Sequence, residues 1–251
     1  MKAHYDDIAG QYAAYANASP TRVVELRTMQ HMAGDVTGRS VLDLACGFGF
    51  YGRAMLLAGA ASAHGVDQSP EMVALGRRIS AGGGDAMTFQ ASGFLQLAPV
   101  CEYDLAVAAF LFNYAQSLDE LARMAAAAFK HVRAGGRIAV ETMNPAYCLA
   151  DGDCSKYGVR VLDDVPWQQG AKMEMEFPGD PPARITVARI ASRSSNWPLG
   201  RSQMRSSPVS KKPVPVSAFC CASAPTMSSR RRPKVASLVL ESSMNTRSGL
   251  P

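Results

Sequence analysis

Apolar residues along the first 145 positions come in short bursts that alternate between two spacings. Residues 40–44, 63–67, 87–91 and 137–142 are brief apolar runs. Residues 103–109 (Tyr-Asp-Leu-Ala-Val-Ala-Ala) are almost continuously apolar, the pattern of a central parallel strand covered on both faces. Between the runs lie stretches with helical character, over residues 49–58, from 69 to about 79, and over 118–132. Ser69 fits an N-cap, with Pro70 at the first helical position. Arg133-Ala-Gly-Gly136 closes the third helix. Strand and helix alternate at the spacing of βαβ units, which predicts a doubly wound α/β fold with a parallel sheet. In such a sheet the ligand lies at the carboxyl ends of the strands.

Residues 5–33 also read as helices. Tyr5, Ile8, Tyr12 and Tyr15 recur at spacings of three and four, which places them on one face. Ser19-Pro20-Thr21 interrupts the pattern. The tyrosine stripe serves either core packing or a lid that closes over a ligand at the strand ends. Beyond Asn144 the alternation stops. Residues 172–177 and 184–190 alternate polar and apolar positions around Pro178-Gly-Asp-Pro-Pro182, which predicts an antiparallel hairpin covering the site. The chain thus divides into lid helices (1–35), a ligand-binding core (36–145), a hairpin or cover region (146–190) and a tail (191–251).

Composition matters most in that tail. Of the chain's 26 basic and 21 acidic residues, ten and one fall in 191–251, leaving 16 and 20 before it. The net charge of +5 therefore averages a mildly acidic body with a basic tail. The body gives no reason to expect nucleic acid or a membrane as partner. The tail holds 15 Ser and 7 Pro, a composition that buries too little apolar surface to offset ordering entropy. Two explanations stand side by side, a disordered basic tail and a shifted reading frame near residues 188–194. Read one frame over, the codons for residues 194–198 are able to encode Val-Glu-Leu-Ala, and those for 207–211 Ala-Gly-Phe-Glu. Arg230-Arg-Arg-Pro-Lys234 is the tail's one basic cluster, a weak footprint for nucleic acid. The six cysteines form no CxxC pair and show no zinc spacing. The N-terminus has no apolar segment of the signal-peptide kind. A reduced, cytoplasmic, metal-free protein is expected.

Candidate chemistry centres on Val41-Leu-Asp-Leu-Ala-Cys-Gly-Phe-Gly-Phe-Tyr-Gly52, a strand entering a glycine-rich turn that opens a helix. Gly47, Gly49 and Gly52 satisfy G-x-G-x-x-G, and Asp67 follows Gly47 by 20 residues, where a dinucleotide fold places its ribose acid. Asp43 argues against a dinucleotide. A carboxylate inside the first strand repels a pyrophosphate, whereas a ligand carrying an ammonium and a sulfonium is drawn to it.

The run over residues 41–49 resembles motif I of class I S-adenosylmethionine-dependent methyltransferases, with Ala45 at the usual first glycine. Gly65-Val-Asp67-Gln-Ser-Pro-Glu-Met72 is similar to the family's acidic motif, residues 103–114 to its fourth strand and loop, and Val132-Arg-Ala-Gly-Gly-Arg137 to the turn before strand five. Residues 31–39, 46–53 and 156–162 resemble a narrower group, the toxoflavin-biosynthesis-type methyltransferases that N-methylate a heterocycle. The resemblance implies a Rossmann-like class I methyltransferase sheet with helices on both faces. The family's final helix and two closing strands have no counterpart after Ile190, so the fold is expected to be incomplete at its C-terminus, with the edge of strand five unpaired if the tail is out of frame.

The resemblance also implies roles. Asp43 and the backbone of Ala45, Cys46, Gly47 and Gly49 hold the methionine end of S-adenosylmethionine. Asp67, with Gln68 beside it, accepts the ribose hydroxyls. Phe110 packs near the adenosine, the backbone N–H of Phe94 reaches the adenine ring, Tyr5 and Tyr12 close over the donor, and Asn113 and Tyr114 line the substrate side. The family's adenine-binding acid falls on Gly93, so one charge-assisted hydrogen bond is missing. His4, Tyr5 and Tyr12 are positional candidates for a general base. The expected activity is methyl transfer to a small molecule. The rivals are a non-catalytic, degenerate S-adenosylmethionine-binding protein and a dinucleotide-dependent oxidoreductase.

Overall fold

The computed structural model describes residues 5–98, 100, 102–143, 155–163, 170–188 and 235–241. Two N-terminal helices, α1 (Ala9–Ala18) and α2 (Thr21–Ala33), precede the core. The core then runs β1 (Ser40–Leu44), α3 (Phe50–Leu57), β2 (Ser62–Asp67), α4 (Pro70–Gly83), β3 (Thr88–Ala91), β4 (Tyr103–Ala109), α5 (Leu118–Phe129) and β5 (Val132–Met143). A second, three-stranded sheet holds β6 (Arg160–Val161), β7 (Lys172–Phe177) and β8 (Ala183–Ala188) in chain order. The last described element is β9 (Val235–Glu241).

The main sheet has the order β3-β2-β1-β4-β5-β9, parallel from β3 to β5. The chain winds outward from β1 through β2 to β3, then returns to the other side of β1 for β4 and β5. The order reverses between β1 and β4, which opens a crevice at their carboxyl ends. Both faces are covered. Val41, Leu105, Val107 and Ala139 pack with Met29, Met32 and Met55 of the helices on one face, while Leu42, Leu44, Ala106, Ala108, Ile138 and Val140 pack with Met124 and Ala128 of α5 on the other. Successive strand residues point to opposite faces, so burial on both sides accounts for the near-continuous apolar runs.

The helix signals act as expected. Ser69 accepts from the Met72 N–H with Pro70 following, and Ser117 accepts from the Glu120 N–H. β5 begins at Val132 rather than 137. Val132 pairs with Tyr103, the register then shifts, and Arg137 pairs with Leu105. The Arg133-Ala-Gly-Gly136 segment is therefore an irregularity within a strand rather than a closing loop. β9 lies antiparallel to β5, from Arg137↔Glu241 to Met143↔Val235. The neighbour that the sequence left unassigned beside strand five is thus drawn from residues 235–241. The other tail residues (191–234 and 242–251), and His4, lie outside the described residues.

In the smaller sheet, Met173, Met175, Phe177, Ala183, Ile185 and Val187 form one apolar face. Tyr5, Ile8, Tyr12, Tyr15, Tyr114 and Met143 pack against it. Of the two roles anticipated for the tyrosine stripe, the packing shows core formation with the cover sheet.

Two local features carry a cost. After β1 the backbone enters the left-handed region at Ala45, with φ +56°. For a residue with a Cβ that conformation costs about 1–2 kcal/mol. Farther along the sheet, Glu141 of β5 is fully buried on the face covered by α2 and α3, and its Oε1 has no hydrogen-bond partner among the described residues. Burial, then the neighbouring Glu25 charge, pushes the Glu141 carboxyl up to about 8, against the Tyr51 hydrogen bond and Arg22.

Replacing Ala45 by Gly removes the left-handed penalty but adds about 0.4–1 kcal/mol of unfolded-chain entropy. Ala45→Gly is therefore expected to raise the unfolding free energy in urea by ~0.5–1 kcal/mol, and a loss of stability would contradict the assigned turn. Because the folded pKa of Glu141 lies above its unfolded value, its contribution is complete below about pH 4.5 and is lost as pH rises toward 8. Unfolding free energy should fall across that window, and Glu141→Gln should flatten the slope. Superimposable profiles for the two proteins would show that Glu141 does not titrate there.

Candidate functional site

Two carboxylates at the ends of neighbouring parallel strands hold the glycine-rich turn. Asp43 of β1 is 1% exposed, and its Oδ2 accepts from the Gly52 N–H at 2.8 Å. Gly52 lies in the first turn of α3, so Asp43 supplies the anion that the helix N-terminus favours. Asp67, at the end of β2, accepts from the Gly47 N–H at 2.8 Å through one oxygen and from the Ser69 N–H at 2.9 Å through the other. Each carboxylate oxygen can accept two hydrogen bonds, so both Asp67 oxygens keep capacity for a ligand's hydroxyls. Burial raises the Asp67 carboxyl, opposed by the Ser69 and Gly47 bonds. Burial also pushes Asp43 up to about 7. The Gly52 bond opposes this, and the Asp67 charge adds to the rise.

The turn itself is tightly built. The Cys46 N–H donates to the Val66 carbonyl at 3.0 Å, and the Gly49 N–H to the Cys46 carbonyl at 2.8 Å. Its glycines differ in purpose. A Cβ on Gly49 (φ +87°) would stand 2.7 Å from the Phe89 ring, whereas one on Gly47 (φ +53°) would meet nothing within 4 Å. Gly49 is therefore required by packing, and Gly47 borders open space through which a ligand's atoms can approach the backbone. Arg53 braces the turn from outside, bonding the Phe48 carbonyl and donating to the Ser80 hydroxyl at 3.1 Å.

The N-terminal strap crosses these strand ends. Asp6 accepts from the Ser69 hydroxyl at 2.5 Å, and the Tyr5 and Tyr114 hydroxyls share a hydrogen bond of 2.7 Å. One strap thereby ties the start of α4 to the loop after β4. Burial raises both phenols, and the Asp67 charge contributes to each, so neither accepts a proton readily near neutrality. Tyr12 stacks edge-on with Tyr5 at 5.0 Å and with Phe177 of the cover sheet at 5.4 Å. Phe110 closes β4 with φ +59°, its N–H donating to the Glu141 carbonyl at 2.7 Å. Ala45 and Phe110, at the ends of β1 and β4, are the two left-handed non-glycine residues among the described residues. Such strain concentrates at ligand sites.

The remaining sequence candidates divide. Cys46 is buried in the turn, and Gln68 is exposed beside Asp67. Phe94 packs into the sheet face beneath α5. Asn113 is drawn away from a purely substrate-facing position, because its Oδ1 accepts from the Thr142 hydroxyl and from the Met143 N–H at 3.2 Å. Gly93, where the resemblance expects an acid, has ordinary extended backbone, and a Cβ there would lie 2.0 Å from the Gln96 side-chain oxygen. Sequence reasoning missed the strap contact of Asp6 and the buried polar group of Arg22, Glu25, Tyr51 and Glu141. Arg22 and Glu25 pair at i,i+3 along α2, but the contacts to Tyr12, Tyr51 and Glu141 come from other elements, and no spacing rule marks them.

The arrangement suits a cation better than a phosphate. Asp43 already fills the anion position at the start of α3, and two buried like-charged carboxylates leave a negative potential over the Gly47 opening. An ammonium or sulfonium there relieves the repulsion, whereas a pyrophosphate increases it. The donor set thus fits the methionine end and ribose of S-adenosylmethionine. No helix among the described residues is long and apolar enough to cross a membrane.

Comparison with known proteins bears on the domain and its fold. Residues 41–136 match the family described as "Methyltransferase domain". A ribosomal protein L11 methyltransferase from Stenotrophomonas maltophilia (strain R551-3) is 39% identical over 125 residues, 48% of this chain and 38% of that protein. One from Xanthomonas euvesicatoria pv. vesicatoria (strain 85-10) is 40% identical over 124 residues, with the same shares covered. The chain spans 38% of the length of these relatives. The structure of an S-adenosylmethionine-dependent methyltransferase from Clostridium acetobutylicum ATCC 824 superposes with a TM-score of 0.61 at 13% identity, over 94% of this chain and 100% of that one. One from Listeria monocytogenes superposes with a TM-score of 0.55 at 14% identity, over 88% and 99%. These likenesses establish the fold. Residues 41–136 thus match a methyltransferase domain, and the chain has the Rossmann-like fold of these solved S-adenosylmethionine-dependent methyltransferases.

Proposed function

We propose that this chain transfers a methyl group from S-adenosylmethionine to a small molecule, with N-methylation of a heterocycle as the reaction. The single observation that supports a small acceptor is the roof over the strand ends. The strap latched at Ser69 and Tyr114 packs with the apolar face of the β6–β8 sheet, which brings tyrosines, methionines and Phe177 together beside the strand ends. A flat, largely uncharged acceptor suits such a lining. The resemblance of residues 31–39, 46–53 and 156–162 to the toxoflavin-type group supports the same acceptor class.

When bound, the donor supplies an electrophilic methyl on a sulfonium. The chain's own residues bind, orient and exclude water. Asp43 and the Ala45–Gly49 backbone hold the methionine end, and Asp67 accepts the ribose hydroxyls. Phe110 packs near the adenosine, and the backbone N–H of Phe94 serves the adenine ring. Tyr5 and Tyr114 stand between donor and cover, where their hydroxyls orient the acceptor. A ring nitrogen with a free lone pair needs no base, which agrees with the raised phenols of Tyr5 and Tyr114. The catalytic contribution is then mainly proximity and alignment. The printed substrate of the curated relatives is a ribosomal protein, so a protein acceptor is the second reading.

Calorimetry with S-adenosylhomocysteine and with NADH, followed by transfer of a radiolabelled methyl to a panel of N-heterocycles and to ribosomal protein L11, separates these possibilities. The expected result is binding of S-adenosylhomocysteine but not NADH, with label in a heterocycle. Label in L11 alone would replace the small acceptor with a protein. Binding without transfer to either acceptor would favour a non-catalytic S-adenosylmethionine-binding protein. Gly93→Asp should tighten S-adenosylhomocysteine about tenfold or more, since a hydrogen bond to a charged group is worth about 1.5–3 kcal/mol. An unchanged affinity would remove Gly93 from the adenine site.

A further inference from the structure

Arg22 of α2 is 8% exposed, yet its nearest partners come from three different helices. Its Nη2 donates to the Tyr12 hydroxyl of α1 at 3.2 Å, and its Nη1 to the Tyr51 hydroxyl of α3 at 3.2 Å and to Glu25 of its own helix at 3.1 Å. The guanidinium also lies over the Phe50 ring at 5.0 Å, the Tyr51 ring at 5.7 Å and the Tyr12 ring at 5.9 Å. Burial works against its charge, but Tyr12, Tyr51 and Glu25 more than compensate and hold it firmly cationic. Tyr51 in turn donates toward Glu141 of β5 at 3.2 Å and Glu25 at 3.4 Å. Phe50 and Tyr51 are the first two residues of α3, directly after Gly49.

We infer that Arg22 is a positioning residue that couples the roof to the glycine turn. The inference rests on the proposed binding of S-adenosylmethionine at that turn. Asp43 fixes the start of α3 from the strand side, and Arg22 fixes it from the roof side. Tyr12 belongs at once to the Arg22 cage and to the aromatic cluster with Tyr5 and Phe177. A roof that lifts pulls Tyr12 from the guanidinium, and the guanidinium then loses its hold on Phe50 and Tyr51. Roof closure and the shape of the Gly47–Gly49 opening are one event. The planar fork is essential, because three separate acceptors are met by fixed N–H directions while its faces lie over rings. A lysine ammonium keeps the charge but not that geometry.

Hydrogen exchange measured by mass spectrometry on the full chain, without ligand, reads both ends. In Arg22→Lys, residues 9–18 and 47–56 should both exchange about tenfold faster, while residues 103–109 stay unchanged. The affinity for S-adenosylhomocysteine should fall about tenfold. Tyr12→Phe removes only the α1 end of the link, and it should still speed exchange over 47–56 by several-fold. The inference is overturned if Tyr12→Phe loosens 9–18 alone, or if Arg22→Lys matches the unaltered protein, which would leave Arg22 with charge compensation only. A protein that binds no S-adenosylhomocysteine would defeat the donor assignment, whereas the ligand-free exchange decides the coupling by itself.

Discussion

Asp43 and Asp67 project from adjacent parallel strands into the same small volume, and the turn between β1 and α3 exists in its observed form because both grip it. Each carboxylate binds a backbone N–H at 2.8 Å, Asp43 from Gly52 and Asp67 from Gly47. Nine and twenty residues of chain separate the members of these pairs, so each bond closes a loop as well as satisfying a donor. The grip has an electrostatic cost: burial raises both carboxyls, the Asp67 charge adds to the rise at Asp43, and the Asp6 charge adds to that at Asp67.

The glycines around the turn are there largely for packing. Cβ atoms added at Gly49, Gly52, Gly65 and Gly76 would fall within 2.4–2.7 Å of Met87, Phe89 or Cys46. Met87, just before β3, and Phe89, within it, fill most of the space those absent side chains leave, with Cys46 beside Gly65. The core beneath the site therefore consists largely of bulky residues from one segment set against bare backbone from three other elements. Gly47 alone among the motif glycines faces open space, and it marks where the molecule keeps room for something other than itself.

Much of this was legible in the sequence, for identifiable reasons. Buried parallel strands are apolar on both faces, so β1 and β4 declare themselves. Ser69-Pro70 is a local signal, and α4 starts there. Asp43 stood out because a carboxylate inside the first strand repels a pyrophosphate. Its direct partner proved to be the Gly52 N–H, which no spacing rule predicts. The tyrosine stripe was visible, but its packing partner was not, because that surface lies some 160 residues away in β7 and β8. Arg22 and Glu141 were invisible. A helical arginine usually faces solvent, and a glutamate in Ala-Val-Glu-Thr reads as an outward strand position. Only the packing of α2 and α3 over β5 turns both inward. β9 was missed because a serine- and proline-rich composition hid a seven-residue run of extended chain.

The cover sheet keeps its own apolar cluster, separate from the two that sandwich the main sheet, and joins the rest through the N-terminal tyrosines, Tyr114 and Met143. Clusters so divided open as separate cooperative units. By that rule the cover and strap form one opening unit and β1 to β5 another, so the segment beside the strand ends answers to a packing core of its own.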